Sequence, residues 1–305
     1  MSFNLLYAQN KDLSPQLADS LVWEITGPDL AEPSYLAGTI HLICEQDFQL
    51  DQRMINAIKN SNQIYLELDM DDQSEMSKVM TGMVSDKSLK DRLSSTHYKQ
   101  LSELIEKHTD FNINLFDKTK LFGISSMLLM SGLDCPIKTV DIELMNIAKA
   151  SKLPVYGLEK AEDQLEVFEL MVPKKSDIPW SEKEMAAFGL LPETLNEVVK
   201  VYNSEDISAL YDMTKDLMLE AENGTVMFEA LLDKRNINWV EKIPTIVKKS
   251  SLEASFHRHI FSNVNLELEY RFIVNQRKPA TVDARSSWTR ALFRVEVPKG
   301  RPPAV

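Results

Sequence analysis

Tyr35-Leu36-Ala37-Gly38-Thr39-Ile40-His41-Leu42 decides how this chain folds, together with Gln63-Ile64-Tyr65-Leu66-Glu67-Leu68-Asp69 downstream. Both runs are β-prone, and both end in residues with chemistry: a histidine in one, two carboxylates in the other. Between them, Asp51 to Asn60 places Met54, Ile55 and Ile58 at helical spacing, with Ala57 in the same stretch. Parallel strands need such a crossover, and in open α/β sheets the C-terminal strand ends carry the site. Side chains alternate along a strand, so Glu67 and Asp69 share one face while Leu66 and Leu68 point to the other.

Upstream, Leu21-Val22-Trp23-Glu24-Ile25 alternates with period two. Gly27-Pro28-Asp29 reads as a turn, so strands near 21–26 and 35–40 are expected to form a hairpin. Downstream, residues from Asp71 to about Gly132 read as mostly helical. Leu121 to Met130 is almost wholly apolar but about ten residues long, which makes it a buried core helix and not a membrane span. A helix from Asp141 to Ser151 leads into Leu153-Pro154-Val155-Tyr156-Gly157-Leu158-Glu159, a third strand that also ends in a carboxylate. Ala161 to Met171 follows as a helix containing Gln164. Helical segments are expected near 181–202, 205–222 and 225–240, and Ile243 to Val247 reads as β-prone. The fold class is therefore α/β: a mixed central sheet flanked by helices, with a large helical insertion, spanning residues 10–250.

The chain has 305 residues, 44% of them hydrophobic, enough for a sizeable core. A formal charge of −12 argues against generic nucleic-acid or anionic-membrane binding. No apolar run approaches the roughly 20 residues of a transmembrane helix. Residues 1–9 read as the remnant of a secretory signal peptide whose start lies upstream, or else as a frayed terminus; the first reading places the protein in the periplasm or outside the cell, the second in the cytoplasm. Cys44 and Cys135 have no metal-type spacing and read as small, semi-buried side chains that neither require nor exclude an oxidising compartment.

The composition changes near residue 250. Residues 1–250 contain three Arg against 22 Lys, whereas residues 251–305 contain seven Arg against two Lys. The charge switches from −16 to +4 across that boundary. The tail has β-like runs at Tyr270–Val274 and Leu292–Val297 but no clear amphipathic pattern. Its scattered basic residues make a divergent, solvated or disordered segment the expectation.

Four residues carry the candidate chemistry. His41 is presented at a strand end behind Gly38, and imidazole is both a common metal ligand and the usual general base near neutral pH. Glu67 and Glu159 end two further strands, where a carboxylate can hold a divalent ion or orient a water. Arg235 can hold a developing oxyanion through its planar fork. Taken singly, each also fits a structural role: a hydrogen-bonded histidine, a solvated acidic loop, a helix-surface ion pair. Three strand ends carrying His, Glu and Glu are a stronger signal than any one of them.

The stretches Tyr35–Leu42 and Ile64–Asp69, then Val140-Asp141-Ile142-Glu143-Leu144-Met145-Asn146-Ile147-Ala148, Leu153–Glu159 with Gln164, and Lys234-Arg235-Asn236-Ile237-Asn238-Trp239, resemble the TraB/GumN family, which includes the Tiki proteases. Order and spacing agree over roughly residues 20–250. The resemblance implies an α/β fold related to haem-binding ChaN and erythromycin-esterase-like proteins, and a metal-dependent, peptidase-like hydrolase using Mn, Co, Zn or Fe on a peptide or small-molecule substrate. It implies His41, Glu67 and Glu159 as metal ligands, and Glu67, Glu159 and Arg235 as catalytic groups. The family carries a second Gly-x-x-His motif shortly after the Arg-Asn-x-x-Trp helix. Here that region reads Lys248-Lys249-Ser250-Ser251-Leu252-Glu253-Ala254-Ser255-Phe256-His257-Arg258-His259, with no glycine between Gly224 and Gly300. The expectation is that the last strand and one histidine are missing, which leaves a non-catalytic haem- or peptide-binding protein of the same fold as the alternative.

Overall fold

The structure is a computed structural model, and it describes residues 19–26, 30, 32–170, 175–252, 259–262 and 294–296. In chain order the elements begin with β1 (Val22–Thr26), β2 (Ser34–Ala37), β3 (Ile43–Cys44), α1 (Gln52–Lys59) and β4 (Gln63–Leu68). A helical stretch follows: α2 (Gln73–Gly82), α3 (Leu89–Arg92), α4 (Ser95–His108) and α5 (Leu121–Ser131). Then come β5 (Ile137–Lys138), α6 (Val140–Ala150), β6 (Val155–Glu159) and α7 (Ala161–Glu169). The chain continues through α8 (Glu182–Ala187), α9 (Thr194–Asn203), α10 (Ile207–Leu219), α11 (Gly224–Phe228), a π-helical turn at Glu229–Lys234 and α12 (Arg235–Leu252). Strands β7 (His259–Ser262) and β8 (Arg294–Glu296) complete the described elements.

Six strands form one mixed sheet in the order β6-β4-β7-β2-β1-β8. β6, β4, β7 and β2 run parallel, and β1 pairs antiparallel with both β2 and β8. The β1–β2 hairpin and the α1 crossover appear as the sequence predicts. Asp51 caps α1 by accepting from the Arg53 amide at 2.6 Å, and the helix buries Met54, Ala57 and Ile58 against the sheet. Along β4, Ile64, Leu66 and Leu68 are buried while Tyr65 and Glu67 face the other side. Each fully buried aliphatic chain of this kind stabilises by about 1.5–3 kcal/mol.

A second core lies in the helical insertion, where Leu101, Ile105, Ile124, Leu128, Phe188, Leu190 and Met227 pack together. It draws on both α3–α5 and the later helices α8 and α11, so the insertion is built from two separated stretches of chain. Among the described residues, no helix is long and apolar enough to cross a membrane.

Three sequence expectations are corrected. Ile243–Val247 is not a strand: it lies within α12, with Pro244 inside the helix. Asn236, Trp239 and Ile243 are all buried, and that helical spacing outweighs the local β-propensity. Cys44 and Cys135 do more than fill space as small side chains: they form a disulfide across 91 residues. The pairing of Cys44 with Ile137 in the small β3–β5 sheet brings the two cysteines together, a contact that their spacing in the chain gives no sign of. The sheet does not lack its last strand: β7, from the compositionally different tail, fills the gap between β2 and β4 by backbone pairing on both sides. Without a strand there, the facing edges of β2 and β4 would be left with unpaired backbone groups in the middle of a sheet. β8 falls within the Leu292–Val297 run, whereas Tyr270–Val274, His257 and residues 1–9 lie outside the described residues.

Candidate active site at the parallel strand ends

The C-terminal ends of β2, β4 and β6 meet at one edge of the sheet. Gly157 lets β6 approach β4 there, since a Cβ at this position would lie 2.7 Å from the Asp69 backbone nitrogen. β4 pairs Leu68 with Glu159, so Glu159 ends β6 one position beyond Glu67 on the neighbouring strand. Arg235, the first residue of α12, follows the π-helical turn and reaches both. Such turns often mark functional positions in helices.

Arg235 donates from Nη2 to Glu67 Oε2 at 2.8 Å and from Nε to Glu159 Oε2 at 3.0 Å, and its Nη2 also binds Glu159 Oε1. Gln164 adds a second bridge, donating to Glu159 Oε1 at 2.9 Å and to Glu67 Oε2 at 3.3 Å. The Arg235 guanidinium lies over the Trp239 ring, 5.0 Å from its centroid. Both oxygens of Glu159 are therefore held by Arg235, and its side chain is only 4% exposed.

His41 lies on the other side of Glu67, with Nε2 at 3.7 Å from Glu67 Oε2. Its Nδ1 pairs with Asp141 Oδ2 at 3.0 Å, and Thr39 donates to Asp141 Oδ1 at 2.9 Å. The Gly38–His41 segment is fixed further by Tyr202, whose hydroxyl donates to the Gly38 carbonyl at 3.1 Å, and by the Val140 amide bonded to the Ile40 carbonyl. The disulfide and the β3–β5 pairing tie the chain just after His41 to the chain just before Asp141.

Electrostatics follow from this layout. Dehydration by the surrounding protein opposes a charge on His41, but hydrogen bonds with Asp141 and Glu67 outweigh it and raise the ring to about 10. The His41 side chain is still 60% exposed, so water screens the pair. Burial alone would raise Glu67; the Arg235 charge and then His41 overcome it and hold the carboxyl at about 2. Burial works against the charge on Arg235 too, and Glu67 and Glu159 more than restore it.

His41, Glu67, Glu159 and Arg235 are thus brought together, in two halves that share Glu67. Asp69 is not part of the cluster; its Oδ1 accepts from the Asp71 amide in the following turn. Among the described residues, no group of three or more His, Cys, Asp or Glu is arranged to hold a metal ion. The donor set nevertheless suits a divalent ion in one respect: a histidine whose second ring nitrogen is anchored by a carboxylate faces a glutamate that is ionised through the neutral range. Asp141 and Gln164 are the members of the cluster that residue-by-residue reasoning passed over. Asp141 and Glu143 both sit in the first turn of α6, where acidic residues are ordinary, so nothing local separates the two.

A profile of the TraB/PrgY/gumN family matches residues 21–254. Two similar relatives are the uncharacterized protein YbaP of Shigella flexneri, 22% identical over 76% of this chain and 86% of its own length, and the uncharacterized protein YbaP of Escherichia coli (strain K12), 22% identical over 76% and 85%. No solved structure matches the chain. The profile covers most of the sequence and ends beyond Arg235 and Trp239, so all four candidate residues fall inside it, and the chain belongs to the TraB/PrgY/gumN family.

Proposed function

We propose that the protein is a metal-dependent hydrolase of peptide bonds, with its site at His41 and Glu67. The observation that carries this reading is the facing pair of His41 Nε2 and Glu67 Oε2 at 3.7 Å, backed on one side by Asp141 and on the other by Arg235. His41 and Glu67 would hold the ion, which would have to displace the proton that their pairing otherwise keeps on His41 Nε2. When bound, it would supply a water of lowered pKa, about 7 in favourable zinc sites.

The chain's own residues do the rest. Asp141 and Thr39 fix the His41 ring, so that Nε2 stays aimed at Glu67. Glu67 remains ionised through the neutral range and orients the attacking water by accepting its hydrogen bond; a carboxyl at about 2 is too weak a base to do more alone. Glu159, itself held by Gln164, keeps Arg235 in place; with Nε and Nη2 taken by the two glutamates, Arg235 lends its nearby positive charge, not its fork, to the negative charge that develops on the carbonyl oxygen. Glu159, with both oxygens engaged, serves as the anchor of Arg235 in this reading. The Cys44–Cys135 disulfide supports a periplasmic or extracellular setting, where such bonds persist.

The test is hydrolysis of a mixed peptide library, read by mass spectrometry, with Mn(II), Co(II), Zn(II) or Fe(II) added one at a time. Cleavage that needs one of the ions and disappears in a folded His41→Ala variant supports the reading. Absence of cleavage with all four ions, or equal cleavage by His41→Ala, overturns it. Haem spectra recorded on the same samples separate catalysis from simple ligand binding.

A further inference from the structure

We infer that the outer edge of β6 is a peptide-binding site: an extended peptide adds to the sheet there as a further strand, in the groove between β6 and α12. That the peptide is a substrate rests on the hydrolase reading; the docking itself does not.

β6 stands at one end of the sheet and, among the described residues, pairs with β4 alone. The pairing fixes which of its backbone groups are used. The two strands run parallel with Ile64 beside Val155 and Leu66 beside Gly157, and the Ile64 amide donates to the Pro154 carbonyl at 3.0 Å. Along a parallel ladder every second residue bonds to the neighbour, so Tyr156 and Leu158 turn their N–H and C=O groups towards β4. Val155 and Gly157 turn theirs outward. Among the described residues, nothing bonds to these outward groups, and both residues are only half-buried.

Folded proteins usually blunt such an edge with charge, proline, a bulge or a covering element. Val155-Tyr156-Gly157-Leu158 carries no charge and no proline, and its register with β4 runs through without a bulge. Beside it lies a groove of about 680 Å³, with Gly157, Leu158 and Glu159 on one wall and Asn238, Lys242 and Thr245 of α12 on the other. Lys242 donates to the Leu158 carbonyl at 2.8 Å, which ties α12 to the strand and sets the groove between them.

The edge defines its occupant. Outward N–H and C=O groups at the spacing of a strand are matched group for group by the backbone of an extended peptide. The α12 wall carries both Glu241 and Lys242, so it demands no single charge from the peptide's side chains. The groove also leads towards the candidate site. It shares Glu159, Asp163, Asn238 and Lys242 with a second cavity of about 330 Å³ that ends on Arg235 and Trp239. A strand added to β6 lies about 10 Å from β4, two strand spacings, and about three extended residues span that distance to Glu67.

The test titrates a capped six-residue peptide of alternating valine and threonine into the metal-free full chain and follows the Gly157 amide by nitrogen–proton NMR. A saturable shift of that signal is expected below about 1 mM peptide. The same peptide methylated at every backbone nitrogen keeps its side chains but cannot donate, and is expected to bind at least about tenfold more weakly. Val155→Pro removes an outward N–H without touching the β4 ladder, a change that edge strands tolerate, and should weaken binding as much. The inference is overturned by an unmoved Gly157 signal, by equal binding of the methylated peptide, or by shifts confined to residues outside β6 and α12. A Gly157 amide that is protected from exchange in the free chain and ignores the peptide would mean that the chain covers its own edge, and overturns it too. Docking without cleavage once metal is added supports the site and removes the hydrolase reading, so the two fail separately. The two wild-type titrations decide the matter even where Val155→Pro fails to fold.

Discussion

The strand-end site and the helical insertion handle polar groups in opposite ways. At the strand ends, Arg235, Glu67, Glu159, Gln164, Asp141 and Thr39 bond to one another, and the exposed His41 ring completes the set. In the insertion, His97, Trp180 and Asn223 each keep one polar atom without a partner among the described residues. The first region is held ready by its own charges. The second leaves three buried polar atoms out of any such network. Removing a group from the first should therefore cost stability, while removing one of these atoms from the second should cost little or nothing.

The largest effect is expected from Arg235→Leu. It would leave Glu67 and Glu159 side by side without their shared cation, and breaking a buried ion pair costs about 3–5 kcal/mol. Urea unfolding measures it; a loss under about 1 kcal/mol would show that the clamp is not what orders the strand ends. Next is the Cys44→Ser, Cys135→Ser pair of substitutions. Loss of a disulfide closing 91 residues is expected to cost about 2–4 kcal/mol, and it should also loosen the His41–Asp141 pair, seen as a His41 titration closer to its usual range.

The pH dependence sharpens the contrast. Glu67 is held at about 2 against its usual 4.5, so its contribution is present above 4.5 and is lost as pH falls towards 2. His41 is raised from 6.5 to about 10, so its contribution is complete below 6.5 and is lost as pH rises through 10. Metal-free protein should therefore be flattest in stability between 4.5 and 6.5 where this cluster is concerned, and Arg235→Leu should move the acid limb upward. The smallest effect belongs to Trp180→Phe. It removes an unpartnered donor and keeps an aromatic ring, so the change should stay within about 1 kcal/mol. A larger loss would show that the Trp180 indole already has a partner in the free protein.

Much of this was legible in the residues. The hairpin, the α1 crossover and β6 followed from period-two runs, helical spacing and turn residues, since each of these elements buries one face with a regular repeat. Ile243–Val247 misled because β-branched residues around a proline look like a strand, and only the burial of Trp239 and Ile243 on one side shows the helix. β7 was hidden because four residues of an irregular tail carry no pattern of their own; two waiting strand edges define their place. Glu67, Glu159 and Arg235 could be named from strand ends and family resemblance, but not their division of labour. That Arg235 occupies both oxygens of Glu159, and that Asp141 and not Glu143 backs His41, are facts of three-dimensional register across 76 and 100 residues. The Cys44–Cys135 bond is of the same kind, set by the β3–β5 pairing and not by any local motif.

The most direct test of the account follows the histidine ring signals by NMR while Mn(II) is added to the full chain. Paramagnetic Mn(II) broadens nuclei close to it, so the experiment reports where the ion goes in both regions at once. The account predicts that His41 broadens first, at substoichiometric metal, that His97 is unaffected, and that His41→Ala abolishes the high-affinity step. Unbroadened His41 signals, equal broadening at His97, or metal binding that survives in His41→Ala would contradict it.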